Sequence, residues 1–293
     1  MTEAGWHLPS GSLSSGPWLA ELTQDREGWS WASLRVLGLG AGASLTIESG
    51  LEEMLALPLA GSWAVACGGD EFVLAGRESV FSSPTDFSYI GRHLTATLTS
   101  LTGGRIALAG AFAREDLPFR YASAGETAIE MRGSGACSRQ VNNVCMPGGF
   151  EADRLIVCEV ITPAGNWSSY PPHKHDENRP GECQLEEIYY FEIGNSPGGP
   201  GMAYQRVYGT VERPFDLLAE VRSGDIVLVP HGWHGPSMAT PGYDLYYLNV
   251  MAGPGDRAWL ICDDPAHAWV RGTWDTQAVD ARLPFYTSKR EAT

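Results

Sequence analysis

Apolar residues along this chain come in runs of four to seven, and each run is closed by Gly, Pro, Asn or Asp. Leu45-Thr46-Ile47-Glu48, Trp63-Ala64-Val65-Ala66, Asp225-Ile226-Val227-Leu228-Val229 and Leu245-Tyr246-Tyr247-Leu248-Asn249-Val250 show the pattern. Runs of this length fit strands and are too short for helices that must bury a whole face. The 35 Gly and 19 Pro supply the tight turns that many short strands require. The chain therefore reads as all-β, a sandwich or a barrel with few helices.

At 293 residues, 43% of them hydrophobic and with 10 Trp and 11 Tyr, the chain can bury a large core. A weak repeat divides it. Gly40 to Gly61 runs through a glycine turn, an apolar strand, the pair Glu52-Glu53 and a second strand, and Gly165 to Phe191 follows the same order with a His-Lys-His insertion. Gly76 to Pro84 similarly parallels Gly224 to Pro230. We expect two related β-domains, residues 1–130 and residues 131–293, the first a structural partner without the histidines. The formal charge of −15 argues against nucleic acid and anionic membrane surfaces as partners. No run of eighteen apolar residues is present, and Met1 to Ser15 does not read as a secretory signal. Six cysteines without a CxxC pair read as reduced thiols of a cytoplasmic protein, Cys183 included despite its nearness to the histidines.

Of the seven histidines, four fall between residues 173 and 234. His173 and His175 are separated by one residue and so share one face of a strand. Glu187 opens an aromatic strand and should point inward with Tyr189 and Phe191. Glu186 is its rival, because register is invisible in a sequence. His234 follows the strand 226–229 after a Pro-x-Gly turn. Three imidazoles and one carboxylate form a set for one divalent first-row ion (Zn, Mn, Fe, Co or Ni) that leaves positions open for substrate. His231 is the false ligand to expect in that turn; His7, His93 and His267 read as ordinary polar residues.

The HxH pair, the later glutamate and Gly224, Pro230, Gly232 and His234 resemble the two motifs of the cupin superfamily. One residue rather than two separates Gly232 from His234, and the interval from His175 to Glu187 is longer than in simple cupins. The runs Arg139-Gln140-Val141, Thr162 to Asp176 with its Tyr-Pro-Pro-His-Lys-His-Asp ending, Glu187 to Tyr190 and Gly242 to Gly253 resemble the 5-deoxy-glucuronate isomerase family of myo-inositol catabolism. That resemblance implies a bicupin of two double-stranded β-helix barrels, His173, His175, Glu187 and His234 as metal ligands, and an aldose–ketose isomerisation of a uronate. It also raises the expectation of a homodimer. A related uronate isomerase of pectin breakdown, a cupin dioxygenase and a non-catalytic sugar-binding bicupin are the alternatives.

Such chemistry needs a group to move protons and a cation for the substrate carboxylate. Lys174, Glu186, Asp176, Tyr189, Tyr208 and Tyr246 are the candidates for the first role. Lys174 should alternate away from its histidine neighbours to an exposed or interface position. Arg206 is the first choice for the carboxylate and Arg139 the second, while Gln205 and Asn249 are candidates for sugar hydroxyls.

Overall fold

The computed structural model describes residues 5–194 and 198–286. Its strands pair antiparallel throughout and fall into two halves. The first half is one nine-stranded sheet system built from strands between Trp18 and Ala122, with the long strand Glu52–Cys67 pairing with four of them. The second half has two larger sheets. A seven-stranded sheet runs His7–Leu8, Ile226–Val229, Glu186–Ile193, Leu245–Ala252, Ile156–Thr162, Arg139–Cys145, Ala128–Arg132. A six-stranded sheet runs Asp216–Val221, Ala203–Tyr208, Trp233–Ala239, His173–Lys174, Cys262–Asp263, with Trp167–Ser168 added to Trp233–Ala239. A short hairpin, Asp176–Arg179 with Glu182–Gln184, stands apart. Helix is confined to short 3₁₀ segments among the described residues, the longest being Ala268–Thr276, and no helix is long and apolar enough to cross a membrane.

Burial explains the two kinds of strand. Asp216–Val221 alternates exposed and buried residues, as a strand with one wet face must. Glu186–Ile193 is buried along nearly its whole length because both its faces are covered. One face presents Ile188 and Tyr190 to a core shared with Leu34, Leu55 and Phe87 of the first half. Glu192 on that face takes a forked pair of hydrogen bonds from Arg105 at 2.6 and 2.9 Å. The other face presents Glu187, Tyr189 and Phe191 to the second half's interior. A separate apolar cluster, including Met54, Trp63, Val65 and Leu98, fills the interior of the first half.

The halves also exchange carboxylates. Glu53 accepts hydrogen bonds from the backbone N–H groups of Asp153, Arg154 and Leu155 at 2.9, 2.6 and 2.7 Å. Glu186 accepts from those of Ser30, Trp31 and Ala32 at 2.8, 2.7 and 3.2 Å. Each glutamate thus caps the start of a strand in the other half. By this shared role Glu53 corresponds to Glu186, so the repeat is offset by one residue from a simple pairing of the two Glu-Glu pairs. Met54 then stands where Glu187 does, in the apolar cluster of the first half. A third bridge is fully buried: Arg77 donates to Glu159, which also accepts from Tyr246 at 2.8 Å and from Asn142 at 3.0 Å.

Candidate metal centre

Four side chains meet between the seven-stranded and six-stranded sheets. His173 and His234 are directly opposite each other on paired strands, which sets their ring centroids 4.4 Å apart. After His175 the chain makes the hairpin 176–184 and returns, and the Leu185 N–H donates to the His175 carbonyl at 2.8 Å. That excursion accounts for the long interval between His175 and Glu187. Glu187 Oε2 lies 3.0 Å from His175 Nε2 and 2.9 Å from His234 Nε2. The ligand atoms of His175, Glu187 and His234 all lie within 4.8 Å of one another, and His173 flanks them, its ring 6.3 Å from that of His175.

Two glycines make room for His234. Gly232 has φ +86°, and a Cβ there would come within 2.6 Å of the Tyr208 carbonyl oxygen. Its N–H donates to Asp176 at 2.8 Å. Gly235 has φ +96°, and a Cβ would strike the Ser169 carbonyl oxygen at 1.8 Å. Only glycine combines this conformation with so close a backbone approach.

Each histidine turns Nδ1 toward a backbone carbonyl: Pro171 for His173 at 3.4 Å, Leu185 for His175 at 3.3 Å and Gly232 for His234 at 3.4 Å. We assign the proton to Nδ1 on that basis, which leaves the Nε2 lone pairs free to converge. His234 Nε2 is buried and has no hydrogen-bond partner, because its approach to Glu187 has the distance of a hydrogen bond but not the direction. Lone-pair atoms pressed together in a buried space call for a cation between them, so the donor set fits a divalent metal.

The electrostatics point the same way. Burial, reinforced by His234, holds the His173 pKa well below its ordinary value, so this imidazole is neutral. Burial opposes ionisation of Glu187, but the adjoining His234 and His175 rings hold its pKa well below the usual carboxylate range, so it is an anionic donor.

His173 opens onto a cavity of about 330 Å³ shared with Arg132, Arg139, Trp259, Asp263 and Arg271. A recess of about 30 Å³ adjoins it and reaches Glu187, Tyr189, Tyr247 and Asn249. In that recess Ser169 Oγ lies 3.2 Å from the Tyr189 hydroxyl and 3.1 Å from the Tyr247 hydroxyl. Ser169 holds φ +47°, a left-handed conformation that costs a non-glycine residue about 1–2 kcal/mol. Burial raises the pKa of both tyrosines, with Glu187 adding to the effect at Tyr189, so both are neutral hydroxyls. A larger depression of about 480 Å³ lies beside Trp6, Arg206 and Phe215. It shares no lining residue with the metal centre, and chemistry rather than size selects the site.

A sequence profile of the KduI/IolB family matches residues 7–270. This chain belongs to the KduI/IolB family. It is 39% identical over 253 residues to a protein of Bacillus subtilis subsp. natto named 5-deoxy-glucuronate isomerase, covering 85% of this chain and 91% of that one. A protein of the same name from Geobacillus kaustophilus (strain HTA426) is 38% identical over 266 residues, covering 90% and 94%. The crystal structure of an IolB-like protein from Salmonella typhimurium LT2 superposes with a TM-score of 0.83 at 35% identity, covering 90% of this chain and 98% of that one. Oxalate decarboxylase from Bacillus subtilis, with a TM-score of 0.57 at 13% identity and coverage of 80% and 70%, shares the fold. The expected all-β bicupin architecture is thus established for this KduI/IolB member.

Within the family fold, the candidate residues part company. Tyr189 and Asn249 line the recess, and Arg139 lines both cavities. Arg206 does not reach the site: it alternates outward on its strand, pairs with Asp216 and stacks 5.2 Å over Tyr208. Tyr246 faces away as well, hydrogen-bonded to Glu159 at the junction of the halves, while its neighbour Tyr247 lines the recess. Lys174 turns from the histidines as expected, yet it is buried rather than exposed. Asp176 and Glu182 each accept from its ammonium at 2.7 Å, which ties down the hairpin. Asp176 is used there and on Gly232, Tyr208 bonds to Asp264, and Glu186 caps the first half. Gln205 is buried and accepts from Ser237. Cys183 donates to the Ala258 carbonyl at 3.1 Å, His231 packs edge-on to Phe215, and His267 lies beside Tyr170. Arg132, Arg271, Trp259 and Tyr247 enter the site without having been singled out.

Proposed function

We propose that this chain converts 5-deoxy-D-glucuronate to 5-dehydro-2-deoxy-D-gluconate by aldose–ketose isomerisation, with one divalent metal held by His173, His175, Glu187 and His234. The convergence of buried imidazole lone pairs on Glu187, next to a cavity that admits a small molecule, is the observation that carries this reading. The donor set suits Zn, Mn, Fe, Co or Ni. Bound there, such an ion supplies polarisation of a carbonyl and an adjacent hydroxyl.

The residues of the chain do the rest. Isomerisation shifts one hydrogen from the hydroxyl-bearing carbon to the carbonyl carbon and one proton from oxygen to oxygen. The linked hydroxyls of Tyr189, Ser169 and Tyr247 provide a path for the oxygen-to-oxygen proton, and their burial keeps bulk water from the reacting atoms. Asn249, with Nδ2 directed at the Ile188 carbonyl, presents its amide at the wall of the recess. We further assign the centre to a C-terminal cupin domain, residues 131–293. Residues 1–130 form its metal-free partner, a division supported by Met54 occupying the place of Glu187. Six free cysteines suit a cytoplasmic setting, and a homodimer is the assembly we propose.

The test is to incubate metal-loaded and chelator-treated protein with 5-deoxy-D-glucuronate and follow the ketose by NMR. Conversion only with metal is expected. No conversion by fully loaded protein sinks the assigned reaction.

A further inference from the structure

We infer that Arg139 anchors the carboxylate of the substrate, so that this site selects sugar acids over neutral sugars; the inference rests on the isomerase reading of the same centre. Three guanidinium groups surround the cavity at His173, and two already have carboxylates of their own. Arg132 pairs with Glu130 at 2.8 Å and lies 4.7 Å over Trp259. Arg271 takes both oxygens of Asp263. Arg139 has no acidic partner among the described residues, although it is only 5% exposed.

A buried cation without a counter-charge is costly, and proteins tolerate it where a ligand supplies the missing anion. Burial lowers the Arg139 pKa to about 10, which still leaves the group cationic at neutral pH. Its Nη1 is occupied, donating to the carbonyls of Cys137 at 3.0 Å and Tyr170 at 3.5 Å. Nε and Nη2 make no hydrogen bond among the described residues. Those two nitrogens form the edge of a guanidinium that matches a carboxylate with paired hydrogen bonds. Arg139 lines both the outer cavity and the inner recess. An acid seated on it can therefore keep the rest of a short sugar chain beside His173 and Glu187. The protein carries a net charge of −15, so an anion gains nothing from the global field and must be held by a local cation.

The experiment uses metal-loaded wild type and Arg139→Gln, with metal content and melting temperature checked on both. Calorimetric titration with glucuronate and with glucose measures recognition without turnover, and kinetics with 5-deoxy-D-glucuronate give KM and kcat. Wild type should bind glucuronate and not glucose. Arg139→Gln should lose that preference and raise KM by about a hundredfold, with a smaller effect on kcat and metal content unchanged. Arg139→Lys, which keeps the charge but not the fork, should fall between them. Equal binding of glucuronate and glucose by wild type overturns the inference, as does an unchanged KM or glucuronate affinity in Arg139→Gln or Arg139→Lys. If wild type binds glucuronate selectively but fails to convert 5-deoxy-D-glucuronate, the isomerase reading falls and the acid-binding role of Arg139 stands.

Discussion

Adjacent residues in this chain do opposite work, and the division between Glu186 and Glu187 shows how. A strand sends consecutive side chains to opposite faces. One glutamate therefore reaches His175 and His234 while the other reaches three amides of the first half. The alternation was legible in the sequence, and it put Tyr189 and Phe191 on the face of Glu187. Which face met the histidines was not legible, because register depends on strands far away in the chain. The same blindness misplaced Tyr246 by one residue from Tyr247. It also favoured Arg206, whose aromatic and polar neighbours look like a pocket lining but which points outward. Arg132 and Arg271 had no local signal at all, since they reach the cavity from separate elements. The split gives a prediction for metal analysis of purified protein. Glu187→Gln should lose bound metal with the fold retained. Glu186→Gln should keep its metal but lose about 1–3 kcal/mol of stability in urea. Metal retained by the first variant and lost by the second would reverse the assignment.

At the level of elements, loops that look like interruptions hold the site together. The hairpin 176–184 lengthens the ligand spacing, and Lys174, Asp176 and Glu182 lock its base. The segment from Asp280 to Tyr286 straps the second half beside Arg139. Asp280 N–H donates to Ser138 at 3.0 Å, its carboxylate accepts from Asn166 at 2.9 Å, and Phe285 N–H donates to Gln140 at 2.8 Å. The Arg282 guanidinium, aided by Arg282 N–H and Asn166 and opposed by some burial, holds the Asp280 pKa well below the usual carboxylate range. A carboxylate with a depressed folded pKa stabilises above its unfolded value, and that contribution is lost as pH falls through the folded one. Asp280→Asn should therefore melt below wild type at neutral pH, and the gap should narrow as pH drops from about 4 toward 2. Melting curves across that range check it, and a gap of constant size would mean that the charge is not what matters.

Across the whole molecule the two halves are joined by buried polar groups as well as by the shared apolar core. Arg77 and Glu159 are both sealed from solvent. Arg77→Met should cost about 3–5 kcal/mol in urea denaturation, because it leaves a buried carboxylate uncompensated. Arg77→Met combined with Glu159→Gln should recover part of that loss, and the absence of any recovery would deny the pair its role. The fold class was readable from strand length and turn residues. The carboxylate exchange through Glu53 and Glu186 was not, since its acceptors are plain backbone amides with no sequence signature. The short strand His7–Leu8 carries a different consequence. It seals the edge of the second-half sheet by pairing with Val227 and Ile226, and His7 bonds to Asp225, 218 residues away. During synthesis domains tend to fold as they emerge, the N-terminal one first. This strand must therefore wait, unpaired, beside a first half that can already have folded, until the ribosome has delivered its partner. Closing that edge is thus a late event in the life of each new chain.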